Sequence, residues 1–205
     1  MEMSYEAVPP GELAAVVTYL DMRRPPDQFV PASSLRLERV AVPEPEHYRA
    51  LFRLIGAPWL WFSRLLLDDA HLAEIIQHPR VELYLVFDEA GREAGMLELD
   101  FREPGESELA FIGLVPELAG QGHGRWLLAE AVSRAWRDGV SRVHVHTCSL
   151  DHPAALAAYA RAGFTPYKRA IERFPDPRLL GYLPRDCAPQ VPLLGTPAPD
   201  PRPAS

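Results

Sequence analysis

The stretch LVPELAGQGHGRW, Leu114 to Trp126, constrains this chain more than any other. Before it, SELAFIGLV (Ser107–Val115) is a mostly apolar run of strand length. After it, GRWLLAEAVSRAWRDG (Gly124–Gly139) repeats apolar residues at helical spacing, with Trp126, Leu127, Ala131 and Ala135 as candidates for burial. The glycines therefore join a strand to a helix. Backbone N–H groups at a helix start lack intrahelical partners, the helix dipole adds partial positive charge, and glycine has no Cβ to keep an anion away. Gly120, Gln121, Gly122, His123 and Gly124, with Arg125 just beyond, thus form a candidate phosphate cradle built from main chain.

A Gly-x-Gly taken alone is more often a plain turn, so its surroundings must discriminate. A Walker loop would end in Gly-Lys-Ser or Gly-Lys-Thr, and neither follows. A Rossmann fingerprint would open an N-terminal βαβ unit and be followed by a strand closing on an acid. Here the cluster comes late, and the next strand reads VHVHTCS.

The rest of the chain divides by period and punctuation. ELAAVVTYLDM (Glu12–Met22) reads as a first strand, with a helix as the competing reading. PEHYRALFRLIG (Pro45–Gly56) places Tyr48, Leu51, Phe52 and Ile55 at helical spacing between a proline and a glycine. WLWFSRLLLDDAHLAEIIQHP reads as one broken or two short helices, restarting at Asp68 or Asp69 as N-cap and stopping before Pro79. VELYLVFDEAGREAGMLELDFRE alternates on both sides of DEAG, the pattern of an antiparallel hairpin. SRVHVHTCS is a further strand, HPAALAAYARAG a short helix with proline at N1 and glycine at C′, and FTPYKRAIERF a last strand. From Pro175 prolines crowd in, which predicts a domain over 1–174 and a Pro-rich tail over 175–205 that is disordered or extended.

Composition narrows the functional classes. With 205 residues, 47% of them hydrophobic, the chain can bury one sizeable core. A formal net charge of −7 argues against a nucleic-acid-coating protein. The two cysteines, Cys148 and Cys187, indicate neither a disulfide framework nor a zinc site, and a reducing cytoplasm fits. The N-terminal stretch has early acids at Glu2 and Glu6 and no basic leader, and no apolar run nears the roughly 20 residues of a membrane span. A cytoplasmic protein that binds no membrane is expected.

A diphosphate cradle preceded by antiparallel strands and followed by a strand, a short tyrosine-bearing helix and RAGF resembles the GNAT superfamily of acyl-CoA-dependent N-acetyltransferases. That family runs from a strand through Val-x-Pro and Arg/Gln-x-x-Gly-x-Gly/Ala into a helix, here GLVPELAGQGHGRWLL, and later through Asn-Pro-x-Ala, Tyr and Gly-Phe, here HPAALAAYARAGF. The resemblance implies an α+β fold: a mixed, mostly antiparallel twisted sheet flanked by helices, with the family's fourth and fifth strands splayed to admit acetyl-CoA. It implies acetyl transfer from acetyl-CoA to a primary amine of a small molecule or peptide by direct attack, with no metal. An acyl-CoA-binding sensor with little turnover is the other class it leaves open. A homodimer is compatible with either.

The same resemblance assigns residues. A main-chain N–H from the Gly113–Val115 stretch, through Leu114 or Val115, would face the thioester oxygen, with Gly113 suited to a bulge. Tyr159 matches the tyrosine aimed at the CoA sulfur, and Glu108 stands where some members carry a general base whose pKa burial would raise. There are two departures: Ala119 replaces the Arg/Gln that opens the signature, and His152 replaces the asparagine before proline among the cofactor contacts.

Other side chains carry weaker signals. Glu98 and Asp100, two apart on a strand, share a face and could attract a cationic amine; solvent-facing alternation is the simpler reading. In PWLWF, Trp61 beside Trp59 and Phe62 could wall an acceptor site, with core packing the simpler alternative. His144 and His146 share a face without a third ligand for zinc, and Cys148 reads as a small apolar residue rather than a nucleophile.

Overall fold

The computed structural model describes residues 3–27 and 29–196. Seven strands form one sheet: β1 (Glu12–Met22), β2 (Arg36–Val40), β3 (Val81–Phe87), β4 (Glu93–Asp100), β5 (Glu106–Leu114), β6 (Arg142–Cys148) and β7 (Thr165–Pro175). Their spatial order is β2-β3-β4-β5-β6-β1-β7, antiparallel at every junction except β5–β6. The helices are α1 (Pro45–Gly56), α2 (Asp69–Ile76), α3 (His123–Ala135) and α4 (Ala155–Arg161), so the architecture is α+β as expected.

Each sheet face buries its own cluster. On one, Leu20, Val86, Leu97, Leu99, Leu109, Val143 and Val145 meet Leu127, Ala131 and Ala135 of α3 and Tyr159 of α4. On the other, Leu83, Leu85 and Met96 meet Tyr48, Phe52 and Ile55 of α1 and Leu72 and Ile76 of α2. The alternation of odd and even residues along β4 supplies both clusters, which is why its interior positions are all buried. Asp68 caps α2 by accepting from the His71 N–H at 2.8 Å, which selects the first of the two N-cap positions read from sequence.

Several boundaries differ from the pattern-based reading. Glu12–Met22 is a strand, hydrogen-bonded on both sides to β6 and β7. β2 has no counterpart in that reading: its sequence, RLERV, is short and charged, and it takes strand geometry only as an edge partner of β3. α3 ends at Ala135, with Trp136 already extended and its indole N–H bonded to Met22 sulfur at 3.4 Å. α4 starts at Ala155, so Pro153 precedes the helix instead of occupying N1, whereas Gly163 does take the left-handed conformation just past its end. Gly56 and Gly113 serve neither a turn nor a bulge. A Cβ on Gly56 would lie 2.5 Å from Trp61 Cβ, and one on Gly113 would lie 2.5 Å from Ile55 Cγ2 and 3.2 Å from Trp61 Cη2. Gly56 makes room for the Trp61 side chain, and Gly113 for Ile55 of α1 with the Trp61 ring beside it.

Of the stretch expected to be disordered or extended, residues 197–205 lie outside the described residues, while 176–191 carry neither helix nor strand yet pack firmly. Arg178 and Asp176 form a buried bidentate pair at 3.0 and 2.7 Å, and Arg178 Nη1 also donates to the Val191 carbonyl at 2.9 Å. Leu183 and Ala188 join the core under α1. The guanidinium satisfies carbonyls that proline-rich chain leaves without ladder partners.

Candidate active site

The parallel junction creates the site. A parallel pair needs a long crossover, here Val115 to Ser141 through α3, which brings the carboxyl ends of β5 and β6 side by side with the α3 N-terminus at their edge. The two strands pair only at Glu106–Arg142, Ser107–Val143 and Glu108–His144. Beyond that β5 stays on β4 as far as Leu114, and β6 stays on β1 as far as Cys148, so the sheet forks. The bend lies at Ala110: Leu99 faces Leu109 and Glu98 faces Phe111, leaving Ala110 as the bulged residue. The bulge thus lies three residues before Gly113, the position expected for it.

Strand alternation then aims the backbone. Val115 N–H donates to the Ala94 carbonyl at 2.9 Å, so it is used within the sheet and does not face the fork. Its neighbour Leu114 must point its N–H the opposite way, into the gap that β6 has left. Of the two residues expected to contribute, Leu114 is therefore the one placed to donate.

At the end of the fork Gly120 and Gly122 adopt φ of +77° and +85°, turning the chain from β5 into α3. Gly122 is the N-cap of α3 and makes no side-chain capping bond. A Cβ built on Gly120, Gly122 or Gly124 would meet nothing within 4 Å, so the turn is uncrowded. An uncrowded glycine turn at a helix N-terminus, where amides lack intrahelical partners, is compatible with the diphosphate of a CoA tail. Gln121 and His123 are tied back, through Gln121 Nε2 to the Glu117 carbonyl at 2.8 Å and His123 Nδ1 to Ser33 Oγ at 3.2 Å. His152 acts as the missing asparagine would in a turn: its Nδ1 accepts from the Ala154 N–H at 3.1 Å, while its ring contacts Trp59 edge-on.

The candidate acid and base lie on opposite faces. Tyr159 is buried in the cluster under α3, edge-on to Phe164 at 5.9 Å. Burial, then the negative charge of Asp151, pushes its phenol well above the ordinary range, so it keeps its proton. Glu108 occupies the last paired position before the fork, on the face shared with Phe111 and α1. Its carboxylate accepts from His146 Nδ1 at 3.2 Å, and that bond holds its pKa below the usual value, outweighing desolvation. The expected upward shift of Glu108 is thus reversed. Its counterpart is His146, whose imidazole is raised by the same bond. His144 is lowered by burial and lies 3.5 Å from Glu106. Burial lifts the Cys148 thiol to about 11, which fits a small packed residue and not a nucleophile.

Trp61 spans the fork. Its ring rests on Phe111 at 5.3 Å and over Gly113 of β5, while its Nε1 donates to Asp151 Oδ1 at 3.2 Å, beyond the end of β6. Asp151 also accepts from Thr147 Oγ1 at 2.7 Å and Cys148 N–H at 2.8 Å, so the indole is locked to both prongs. Glu98 is fully buried and engaged by Tyr48 Oη at 2.5 Å and Arg64 Nη2 at 2.6 Å. Asp100 is paired with Arg102 at 2.6 Å. Both acids share a face, as their spacing required, and both charges are already matched. Sequence pattern does not single out His146, Asp151 and Arg64 as partners, because the register of β5 on β6 and the fold-back of Arg64 leave no local signal.

The region from Tyr48 to Phe164 matches the Acetyltransferase (GNAT) family model, residues 48–164, and the chain belongs to that family. No curated protein matches it. Among solved structures it is similar to a GCN5-related N-acetyltransferase from Sphaerobacter thermophilus, with 20% identity, TM-score 0.57, and 82% of this chain and 53% of that one covered. A tandem GNAT protein from the clavulanic acid biosynthesis pathway gives 18% identity and TM-score 0.54 over 83% of this chain and 55% of that one. An aminoglycoside acetyltransferase from an uncultured soil metagenomic sample gives 19% identity and TM-score 0.53 over 68% of this chain and 93% of that one. The chain thus spans about half the length of the first two, and these likenesses are of fold. Among the described residues no helix is long and apolar enough to cross a membrane.

Proposed function

We propose that this GNAT acetyltransferase transfers an acetyl group from acetyl-CoA to a primary amine of a small molecule or peptide, by direct attack, in a reducing cytoplasm. The observation that carries the reading is the fork between β5 and β6, which ends on the open glycine turn of α3. When bound, acetyl-CoA supplies the activated acyl thioester. The chain's own groups then divide the work: the turn's amides hold phosphate, the Leu114 N–H donates into the fork, Glu108 with His146 accepts the amine proton, and Tyr159 offers a proton from the opposite face. Acid and base on opposite faces suit direct transfer, since the amine loses its proton on one side while the thiolate gains one on the other. The test is thiol release from acetyl-CoA against a panel of amines. Binding of acetyl-CoA with no thiol release for any amine would favour the sensor class and overturn the reading.

Gly124 gives a clean test of the cradle. It lies in the first turn of α3, needs no positive φ, and has open space at its Cβ, so a side chain there can be added without backbone strain. Gly124→Leu is expected to weaken CoA binding at least about tenfold by calorimetry while leaving the melting temperature unchanged. Unchanged affinity in a folded variant would place the cradle elsewhere.

The Glu108–His146 pair sets the acid side of the rate profile. His146 is raised, so the pair keeps its proton above the free imidazole value of about 6.5, and activity through this base should fall as pH drops through that raised value. Glu108→Gln is expected to lower kcat about 100-fold, to spare CoA binding, and to move the acid limb to lower pH because the group that raises His146 is gone. A profile that does not move would pass the role to a water chain or another carboxylate.

A further inference from the structure

β7 is the most exposed element of the sheet. It is an 11-residue edge strand, nine of whose residues are exposed, and among the described residues its one strand partner is β1. Long open edges invite pairing, and proteins blunt them by shortening, charge, bulges or a covering element. The opposite edge, β2, has five residues and is charged. β7 also carries charge, at Lys168, Arg169, Glu172 and Arg173, and a register shift beside Tyr167, yet it runs eleven residues and exposes Ile171 at 78% and Tyr167 at 50%.

The unused backbone groups can be identified. Val16 N–H donates to Ser149 Oγ at 3.0 Å, and the Val16 carbonyl accepts from Ser149 N–H at 3.0 Å, so both Val16 groups face β6. Val16 is opposite Ile171 and therefore forms a non-hydrogen-bonded pair with it. The N–H and C=O of Ile171 consequently point away from the sheet, as do those of Arg169 and Arg173, two residues to either side in an unbroken register.

We propose that β7 pairs antiparallel with β7 of a second copy of this chain, about a two-fold axis at Ala170. Every register centred on a residue of β7 keeps the outward groups in hydrogen-bonding phase, and charge separates them: centring on Lys168, Arg169 or Arg173 sets two cations face to face. Centring on Ile171 sets Arg169 against Arg173 of the other copy, and centring on Glu172 sets two carboxylates face to face. Centring on Ala170 pairs Arg169 with Ile171 through both backbone bonds and sets Lys168 opposite Glu172 twice, once on each side of the axis. Pro166 and Pro175 bracket this ladder and end it, since neither has an N–H to extend it. The result is one continuous sheet of two copies, with both forks left open because β7 lies two strands from β6.

The test is sedimentation equilibrium of the full chain and of two charge reversals. The wild type is expected to dimerise, and K168E and E172K each to weaken the dimer at least about tenfold, because each places like charges across the axis. Mixed together, K168E and E172K should form a one-to-one heterodimer, since both cross-axis contacts then again join one acid to one base. Amide exchange at Arg169, Ile171 and Arg173 should slow with concentration. A wild type that stays monomeric to about 100 µM, or a dimer indifferent to both reversals, overturns the proposal.

Discussion

Arg64→Ala is expected to destabilise the fold by about 3–5 kcal/mol, because it strands a buried carboxylate. Glu98 sits in the middle of β4 with no solvent exposure, and its two oxygens are taken by Tyr48 Oη and Arg64 Nη2. Arg64 lies over the Phe111 ring at 5.1 Å; burial works against its charge, yet Glu98 raises its pKa on balance. Removing the guanidinium leaves the phenol as the remaining partner of a charge that water cannot reach. For a chain of this size the loss corresponds to roughly 10 °C in melting temperature. Adding Glu98→Gln to Arg64→Ala should recover most of it, since a neutral amide keeps a bond to Tyr48 without the charge penalty. If the double variant melts no higher than the single, the cost lies in lost packing of the Arg64 stem on Phe111. Glu98→Gln by itself should leave KM for cationic amines unchanged, as befits an acid already matched by an internal cation.

That pair shows where sequence reading stops. The spacing of Glu98 and Asp100 correctly places both on one face, because strand period is local. Whether that face meets solvent, substrate or an arginine is decided by Arg64, 34 residues away in sequence, in a short 3-10 turn (Ser63–Leu66) with no periodic signal. The same division holds at the fork. The glycine turn, α3 and Tyr159 are legible because glycine conformation and helix period leave local marks. The Glu108–His146 bond is not, since it depends on a parallel register of only three pairs. The bulge falls at Ala110 and not at Gly113 because strand curvature needs only an extra residue, whereas a side chain at Gly113 would collide with Ile55 of α1 and crowd the Trp61 ring. The proline-rich segment after β7 reads from sequence as a disordered or extended tail that continues no helix or strand. Arg178 and Asp176 reverse that over 176–191, because two charges buried together can satisfy irregular backbone that no sheet reaches.

Tyr159→Phe is expected to lower kcat by about 10- to 1000-fold with an unchanged melting temperature. The substitution removes one oxygen and keeps the ring that packs edge-on against Phe164 and within the α3 cluster. A packing role alone therefore predicts near-parental turnover. Burial and Asp151 hold the phenol above its ordinary pKa near 10, so the donating form is present across the whole working range. The sign follows: the parent's rate should show no basic limb from this group below about pH 10, and the variant's loss should be nearly constant with pH. Product release can hide a chemical step, so single-turnover rates are the deciding measurement. Rates that match the parent from acid to alkaline pH would leave Tyr159 as a packed ring and send the proton to the departing thiolate from water.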